Sequence, residues 1–228
     1  MDLTASLRLL KRTLLRREKS PDIFLNHIKG VIHIGANTGQ ERLLYASKNL
    51  TVFWIEPIPS IYEVLCQNIK DFPGQHAICA LLLDRDGVKV KLNIANNEGA
   101  SSSVMLLKEH RELWPDVAYI DAIELTATTL PTLVNQGKVC LDDCDALILD
   151  TQGSELMILQ GAISLLPKIK YVLIEVPDFE AYVGCPRLDD FNQFMKINGF
   201  RLVAKRAIAA SSKSRAYYDV LYRNCISC

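Results

Sequence analysis

Three features are missing from this sequence, and each absence excludes a class of protein. No apolar run reaches 18 residues, so the sequence predicts no membrane-spanning helix. The 26 Lys and Arg residues balance the 26 Asp and Glu residues, so no net charge draws the chain to nucleic acid or to an anionic membrane. The G-x-G-x-x-G pattern of dinucleotide-binding proteins does not occur. We therefore expect no transmembrane segment and no nucleic-acid partner.

Cysteine gives no sign of a disulfide framework. Seven cysteines are scattered along the chain, and residues 1–20 lack the continuous apolar core of a secretory signal. An odd number of cysteines without such a signal predicts reduced thiols and a cytoplasmic protein. Cys140 with Cys144 and Cys225 with Cys228 have spacings that zinc ligands use, but the second pair lies where chains fray. We expect no metal.

The composition that is present suits one α/β domain. Apolar residues make up 49% of the 228 residues, which is enough for a sizeable core. Short apolar runs alternate with helical patterns from Val31 onward, so we predict one domain over residues 30–228. Residues 1–29 are predicted to be an N-terminal arm.

The N-terminal arm is basic and amphipathic. Leucines recur at helical spacing among basic residues: Leu3, Leu7, Leu10 and Leu14 among Arg8, Lys11, Arg12, Arg16, Arg17 and Lys19. Two interpretations remain open. The arm is either a helix that lies on a membrane surface or a polyanion, or a helix packed on the domain with its basic side in water.

One stretch organises the domain. Val31 to Ile34 form a short apolar run that ends at Gly35, a second glycine follows at Gly39, and the sequence from Gln40 suits a helix. This order predicts a buried strand, a tight loop and a helix. The glycines allow a ligand to approach the backbone, and the free N–H groups at the helix start point towards it.

Acidic residues follow three of the predicted buried strands. Glu56 ends the run Thr51 to Ile55 and lies 21 residues after Gly35, the position of an acid that binds both hydroxyls of a ribose. Asp150 follows the run 145–149, and Glu175 follows the run 171–174. Ligands of open α/β sheets bind at the carboxyl ends of the strands, so we expect Glu56 and Asp150 to flank one crevice.

The remaining pattern predicts a Rossmann-like, doubly wound and mostly parallel sheet. A third strand is predicted over residues 76–83, and the alternating run 88–94 predicts an antiparallel strand near a sheet edge. The polar loop 96–103 is either solvated or lies over the ligand. The runs 200–203 and 217–222 predict a final antiparallel pair at one edge. Ser60 and Ser154 are the predicted helix caps.

Together these segments resemble the FkbM family of class I methyltransferases, which use S-adenosylmethionine. The segments that carry the resemblance are the glycine stretch 31–41, the sequence WIEP at residues 54–57, and the sequence LDTQGSEL at residues 149–156 followed by Leu159, Gly161 and Ala162. The likeness spans residues 30–224. His33 departs from the Asp that many members carry at this position, which we interpret as a variation.

The resemblance implies a role for each matching residue. The methionine part of the cofactor is expected beside His33, Gly35, Ala36, Asn37, Gly39 and Gln40. Glu56 would hold the ribose hydroxyls, and Pro57 is a further expected cofactor-binding residue. Ala80 and Leu81 would edge the adenine, and Asp150 and Gln152 would face the amino acid part and the methyl group. The candidate general bases for an alcohol acceptor are Asp150, Glu175, Asp178 and His110.

The family also implies a substrate class. O-methylation of a hydroxyl on a sugar, a glycan or another small-molecule metabolite, in a bacterial cytoplasm, is the expected activity. Two alternatives stay open: a nicotinamide-dependent oxidoreductase, and a non-catalytic module that binds a partner through the arm or the tail. The module would have side chains filling the crevice between Gly35, Glu56 and Asp150, whereas an enzyme would leave that crevice open.

Overall fold

The computed structural model describes residues 21–210 and 215–225. The strands are β1 Gly30–Ile34, β2 Thr51–Glu56, β3 Gln75–Cys79, β4 Leu81–Leu82, β5 Lys89–Ala95, β6 Tyr119–Thr128, β7 Ala146–Leu149, β8 Tyr171–Pro177, β9 Phe200–Ala210 and β10 Ala216–Asn224. The α-helices are α1 Arg42–Ser47, α2 Pro59–Ile69, α3 Leu130–Asn135, α4 Glu155–Gly161 and α5 Leu188–Ile197. Short 3-10 helices lie at Pro21–His27, Glu109–Glu112, Leu141–Asp143 and Leu166–Lys168.

The main sheet has seven strands in the order β3-β2-β1-β7-β8-β10-β9. The first five strands are parallel, whereas β10 runs antiparallel to both of its neighbours, β8 and β9. The sheet is therefore doubly wound and mostly parallel with an antiparallel final strand, as predicted. Residues 211–214, which connect β9 to β10, lie outside the described residues.

Buried side chains cover both faces of this sheet. On one face, Ile32 and Ile34 belong to a core that includes residues of α3, α4 and α5. On the other face, Val31 belongs to a core that includes residues of α1, α2 and the 3-10 helix Pro21–His27. The strand thus alternates between two apolar layers, which is why a short, uniformly apolar run marks a central parallel strand.

A small second sheet differs from the prediction. The run 76–83 was expected to form one strand, but β3 ends at Cys79, and Leu81 and Leu82 of β4 pair with β6 instead. The expectation is wrong because an uninterrupted apolar run contains no signal that the strand is interrupted at Ala80. β5 pairs antiparallel with β6 at the edge of this three-stranded sheet, as its alternation predicted.

The prediction that Ser60 caps α2 is also wrong. Ser60 lies inside the helix, which begins at Pro59 after Ile58 at the capping position. Proline suits the first helical position because its missing N–H is not needed there. The Ile58 N–H donates instead to the Glu56 carboxylate at 2.9 Å. Glu56, the acid at the end of β2, therefore accepts the backbone N–H of the residue that caps α2.

The end of the predicted arm belongs to the core. Phe24 and Leu25 are 2% and 3% exposed and pack in the same apolar layer as Val31. Residues 1–20 lie outside the described residues, so both interpretations of the basic helix stay predictions, as does the boundary between arm and domain. Within the ranges 21–210 and 215–225, no helix is long and apolar enough to cross a membrane.

Gly161 provides a test of this packing. A Cβ atom there would lie 2.6 Å from the Leu83 carbonyl oxygen and 2.8 Å from the Asp84 Cα. We expect Gly161→Ala to lower the free energy of unfolding by about 1–3 kcal/mol, because backbone must shift to admit the methyl group. Urea denaturation measures the change.

Gly74→Ala is the matched control. A Cβ at Gly74 would meet only the Leu50 carbonyl oxygen, at an ordinary 3.5 Å, and Gly74 is not among the positive-φ glycines. The free energy of unfolding should change by no more than about 1 kcal/mol. Equal effects of the two substitutions would contradict the close approach at Gly161.

Candidate active site

The glycine loop, residues 35–39, brings the ends of β1 and β7 together. Gly35 has φ +84°, and a Cβ atom there would overlap the carbonyl oxygen of Asp150. The Gly35 and Ala36 N–H groups both donate to the Ile55 carbonyl oxygen, at 3.0 and 3.1 Å. Glycine is needed here because any side chain would separate the loop from Asp150.

Glu56 lies between the glycine loop and the start of α2. Its side chain accepts hydrogen bonds from the backbone N–H groups of Asn37 and Ile58, both at 2.9 Å, one on each carboxylate oxygen. Glu56 is 4% exposed. Burial raises the pKa of its carboxyl group to about 7, although the two hydrogen bonds favour the ionised form.

All but one of the predicted cofactor residues line one cavity of about 250 Å³. We call it the first cavity. The predicted cofactor residues that line it are His33, Gly35, Ala36, Asn37, Gln40, Glu56, Pro57, Ala80, Leu81, Asp150 and Gln152. Gly99, Ala100 and Ser102 of the polar loop also line it, so this loop lies over the cavity rather than in solvent alone.

Gly39 is the predicted cofactor residue that does not line the first cavity. It has φ +73°, and a Cβ atom there would lie 2.8 Å from the Leu65 Cδ1 atom of α2. Its N–H donates to the Ala36 carbonyl oxygen at 3.0 Å. Gly39 therefore closes the loop and lets α2 approach, which is a structural role.

His33 is buried at the end of β1. Its Nδ1 atom shares a hydrogen bond of 3.0 Å with the Tyr45 hydroxyl, and its ring stacks on Trp54 at 4.9 Å. Burial lowers the pKa of His33 to about 3, so the ring is neutral at physiological pH. His33 contributes shape and a polar ring to the cavity but no charge.

Asp150 directly follows β7 at its carboxyl end, the position that the sequence pattern predicted. Gln152 donates to it from Nε2 to Oδ1 at 2.5 Å, and the Tyr182 hydroxyl donates to the Oε1 of Gln152 at 2.6 Å. Gln152 has φ +58°, and the Ser103 hydroxyl donates to its carbonyl oxygen at 2.7 Å. Burial raises the pKa of Asp150 to about 7.

Glu155 holds the turn that precedes α4. Ser154 occupies the capping position without a side-chain cap, so the prediction that it caps the helix is wrong. The Glu155 carboxylate accepts from the N–H groups of Thr151, at 2.8 Å, and Gly153, at 3.1 Å. The Ser154 hydroxyl also reaches back over this turn, but it donates to the Thr151 hydroxyl at 3.0 Å and caps no helix N–H.

A second cavity of about 330 Å³ adjoins the first. His33, Glu41 and Asp150 line both. The second cavity is also lined by charged groups from several elements, namely Asp22, Glu175, Arg206 and Asp219.

The charged groups of the second cavity form a row across neighbouring strands. Glu175 pairs with Asp219 across β8 and β10, and Asp219 pairs with Arg206 across β10 and β9. Asp150 directly follows Leu149, which pairs with Ile174 next to Glu175. Burial and the neighbouring Asp150 carboxylate raise the pKa of Glu175.

Two of the predicted bases lie apart from both cavities. His110 is 2% exposed and packs against Trp114 and Tyr182, with its Nε2 atom 3.4 Å from the Ser101 hydroxyl. Burial lowers the pKa of His110 to about 4. Asp178 accepts from the Ala216 N–H at 2.8 Å and from the Tyr218 hydroxyl at 3.1 Å. Neither residue lines the first or the second cavity, so neither of them meets Asp150 and Glu175 there.

Sequence reasoning missed several residues of the site, among them Asp22, Arg206 and Asp219 of the second cavity. Glu41 was also missed; it lines both cavities and is the second residue after the glycine loop, which was the available signal. Tyr182 contacts Gln152 from an irregular segment 30 residues further along the chain. No periodicity or motif marks such a contact.

No metal centre is built into the described part of the chain. Within residues 21–210 and 215–225, no three His, Cys, Asp or Glu side chains converge as ligands would. Cys140 and Cys225 are exposed thiols and Cys144 is buried, while Cys228 lies outside the described residues.

Comparison with solved structures supports the fold. TrmK of M. capricolum, solved in complex with S-adenosyl-homocysteine, has a TM-score of 0.54 at 9% identity over 92% of this chain and 68% of that chain. An uncharacterized Listeria monocytogenes protein has a TM-score of 0.52 at 7% identity, over 92% and 67%. The Methanococcus jannaschii fibrillarin pre-rRNA processing protein has 0.51 at 11%, over 89% and 70%. At such identities these similarities show the fold alone.

The sequence itself shows the family. No curated protein matches the chain. The family model for the methyltransferase FkbM domain matches residues 33–202, which include the glycine loop, Glu56, Asp150 and Gln152. The resemblance found in the sequence is thereby confirmed, and the chain belongs to the FkbM methyltransferase family.

Proposed function

We propose that this methyltransferase transfers the methyl group of S-adenosylmethionine to a hydroxyl oxygen of a sugar, a glycan or another small metabolite. The observation that supports the proposal is the first cavity, where Gly35, Glu56 and Asp150 meet around one open space. A non-catalytic module would have side chains filling this space. A nicotinamide-dependent oxidoreductase is disfavoured by the family assignment.

The residues of the first cavity fit the nucleoside of this cofactor. Each oxygen of the Glu56 carboxylate accepts one backbone N–H, from Asn37 or Ile58, and keeps a lone pair for a further donor. Two ribose hydroxyls would supply those donors. Ala80 and Leu81 give the adenine an apolar edge, and Gly35 leaves room for the backbone to approach the methionine part.

The acceptor side is assigned to the second cavity. When bound, the cofactor supplies an electrophilic methyl group, and this chain's residues align an acceptor with it and take up the acceptor's proton. Asp150 and Glu175 are the candidate bases, because both line the second cavity and Asp150 also lines the first. A pKa of about 7 at Asp150 suits a base near neutral pH.

Calorimetry with S-adenosylmethionine and S-adenosylhomocysteine, using NAD as the control, tests the cofactor. Micromolar binding of the first two without binding of NAD is the expected result. Binding of NAD alone, or of none of the three, would overturn the proposed function.

Methyl transfer to a panel of sugar alcohols and glycans would then test the acceptor class, and transfer to nitrogen alone would contradict O-methylation.

Glu56→Ala tests the ribose assignment. We expect the variant to bind S-adenosylhomocysteine more weakly by about 1–3 kcal/mol, because a charged hydrogen-bond acceptor is lost. Calorimetry at pH 8 measures the difference. Glu63→Ala is the control, since Glu63 is an exposed acid of α2 that does not line either cavity. Unchanged affinity in a folded Glu56→Ala variant would remove Glu56 from the ribose site.

The affinity for S-adenosylhomocysteine should depend on pH. Glu56 and Asp150 have pKa values of about 7, so both are mostly ionised at pH 8 and mostly protonated at pH 6. If the ligand requires the ionised form, each group reduces the competent fraction by ~10-fold between pH 8 and pH 6, and the dissociation constant rises accordingly.

Titrations at pH 6, 7 and 8 measure this dependence. Glu56→Gln should give a shallower profile, because one of the two titrating groups is removed. A flat profile in the unmodified protein would contradict the role of both carboxylates, and an equally steep profile in Glu56→Gln would exclude Glu56 from it.

A further inference from the structure

We propose that Tyr182 is a positioning residue that fixes the Gln152 amide and, through it, holds the Asp150 carboxylate in place and charged. The assignment of Asp150 to the ligand rests on the proposed function above. Tyr182 is 1% exposed and lines neither cavity, so it acts on a ligand only through its neighbours.

The hydrogen bonds run in one direction from the hydroxyl to the carboxylate. Tyr182 donates to Oε1 of Gln152 at 2.6 Å, and Nε2 of Gln152 donates to Oδ1 of Asp150 at 2.5 Å. A reversed amide would place its carbonyl oxygen against the carboxylate. The donating hydroxyl favours the orientation in which the amide N–H₂ faces Asp150.

The ring of Tyr182 is held by packing on several sides. It belongs to a cluster, which we call the aromatic cluster, formed by Trp114, Phe179, Tyr182 and Tyr217 with His110 against it. A Cβ atom at Gly153 would lie 3.3 Å from the Cδ2 atom of Tyr182, so the turn after Gln152 packs directly on this ring. The hydroxyl is therefore presented to Gln152 by a rigid support.

Asp150 depends on this donor because its other neighbours are mostly acidic. The charged groups near it come from each packed element, namely Glu41 before α1, Glu155 of α4, Glu175 of β8 and Asp219 of β10. Arg206 of β9 pairs with Asp219 at 2.6 Å rather than with Asp150, and His33 is neutral. Within residues 21–210 and 215–225, Gln152 is the one group that donates a hydrogen bond to the Asp150 carboxylate.

Tyr182→Phe removes the hydroxyl and keeps the ring. Without the hydroxyl, the Gln152 amide loses its orienting partner and its bond to Asp150 weakens, so the pKa of Asp150 should rise. Tyr217→Phe is the matched control, because Tyr217 belongs to the aromatic cluster, is 3% exposed, and has a hydroxyl without a hydrogen-bond partner in the described structure.

The first readout needs no ligand. The side-chain amide resonance of Gln152, assigned by its loss in Gln152→Met, should titrate with Asp150 and its neighbour Glu175 in a two-dimensional ¹⁵N spectrum of the full chain. We expect its midpoint to rise by roughly 0.5–1 pH unit in Tyr182→Phe and to stay unchanged in Tyr217→Phe. An unchanged midpoint in Tyr182→Phe, or equal shifts in both variants, would overturn the proposal.

The second readout is S-adenosylhomocysteine affinity as a function of pH. Tyr182→Phe should bind about 2–6-fold more weakly than the unmodified protein at pH 7 but within about 1.5-fold of it at pH 8.5, where Asp150 is ionised in both. A loss that persists at pH 8.5 would indicate disturbed packing and would overturn the proposal. Failure of the unmodified protein to bind would refute the proposed function, while the amide titration would still decide the role of Tyr182.

Discussion

The contact between Gly35 and the backbone of Asp150 is the constraint on which the site depends. It joins the carboxyl ends of β1 and β7 so closely that no side chain fits between them. The N–H groups of Gly35 and Ala36 donate to the Ile55 carbonyl oxygen of β2, and the Asn37 N–H then donates to Glu56. One glycine thus sets the distance between Glu56 and Asp150, two acids that lie 94 residues apart in the sequence, and the first cavity is the space that this arrangement leaves.

The sequence predicted the parts of the fold that are repeated or locally encoded. The buried strands, the glycine loop and the acids at the strand ends follow from apolar runs and turn residues, so Glu56 and Asp150 were placed correctly at their strand ends. The interruption at Ala80 was not predictable, because an apolar run has the same pattern whether it forms one strand or is divided between two sheets. Tyr182 was missed because its contact with Gln152 is long-range and depends on an irregular segment that only tertiary packing positions.

Burial of acidic groups is the common electrostatic feature of both cavities. The buried carboxylate of Glu56 accepts hydrogen bonds from two backbone N–H groups, and that of Asp150 accepts one from the Gln152 amide. Glu175 and Asp219 instead share a row across neighbouring strands with a single arginine, Arg206. Such groups are ionised only at a cost that neighbouring donors reduce. The site is therefore organised less by its charges than by the neutral donors that keep those charges available near neutral pH.

The position of β10 has a consequence for the order of folding. β9 joins the sheet only through β10, so residues 200–210 have no strand partner in the main sheet until β10 has inserted beside β8. β9 and β10 are neighbours in the chain and pair locally, whereas β10 reaches β8 across 40 residues at Tyr217 and Pro177 and 52 residues at Arg223 and Tyr171, and pairing at such sequence separation is slow. Because β10 also carries Tyr217 of the aromatic cluster and Asp219 of the second cavity, an intermediate without it lacks both the support behind Gln152 and one cavity wall. Ligand binding at this wall would therefore select the completed sheet over its precursors.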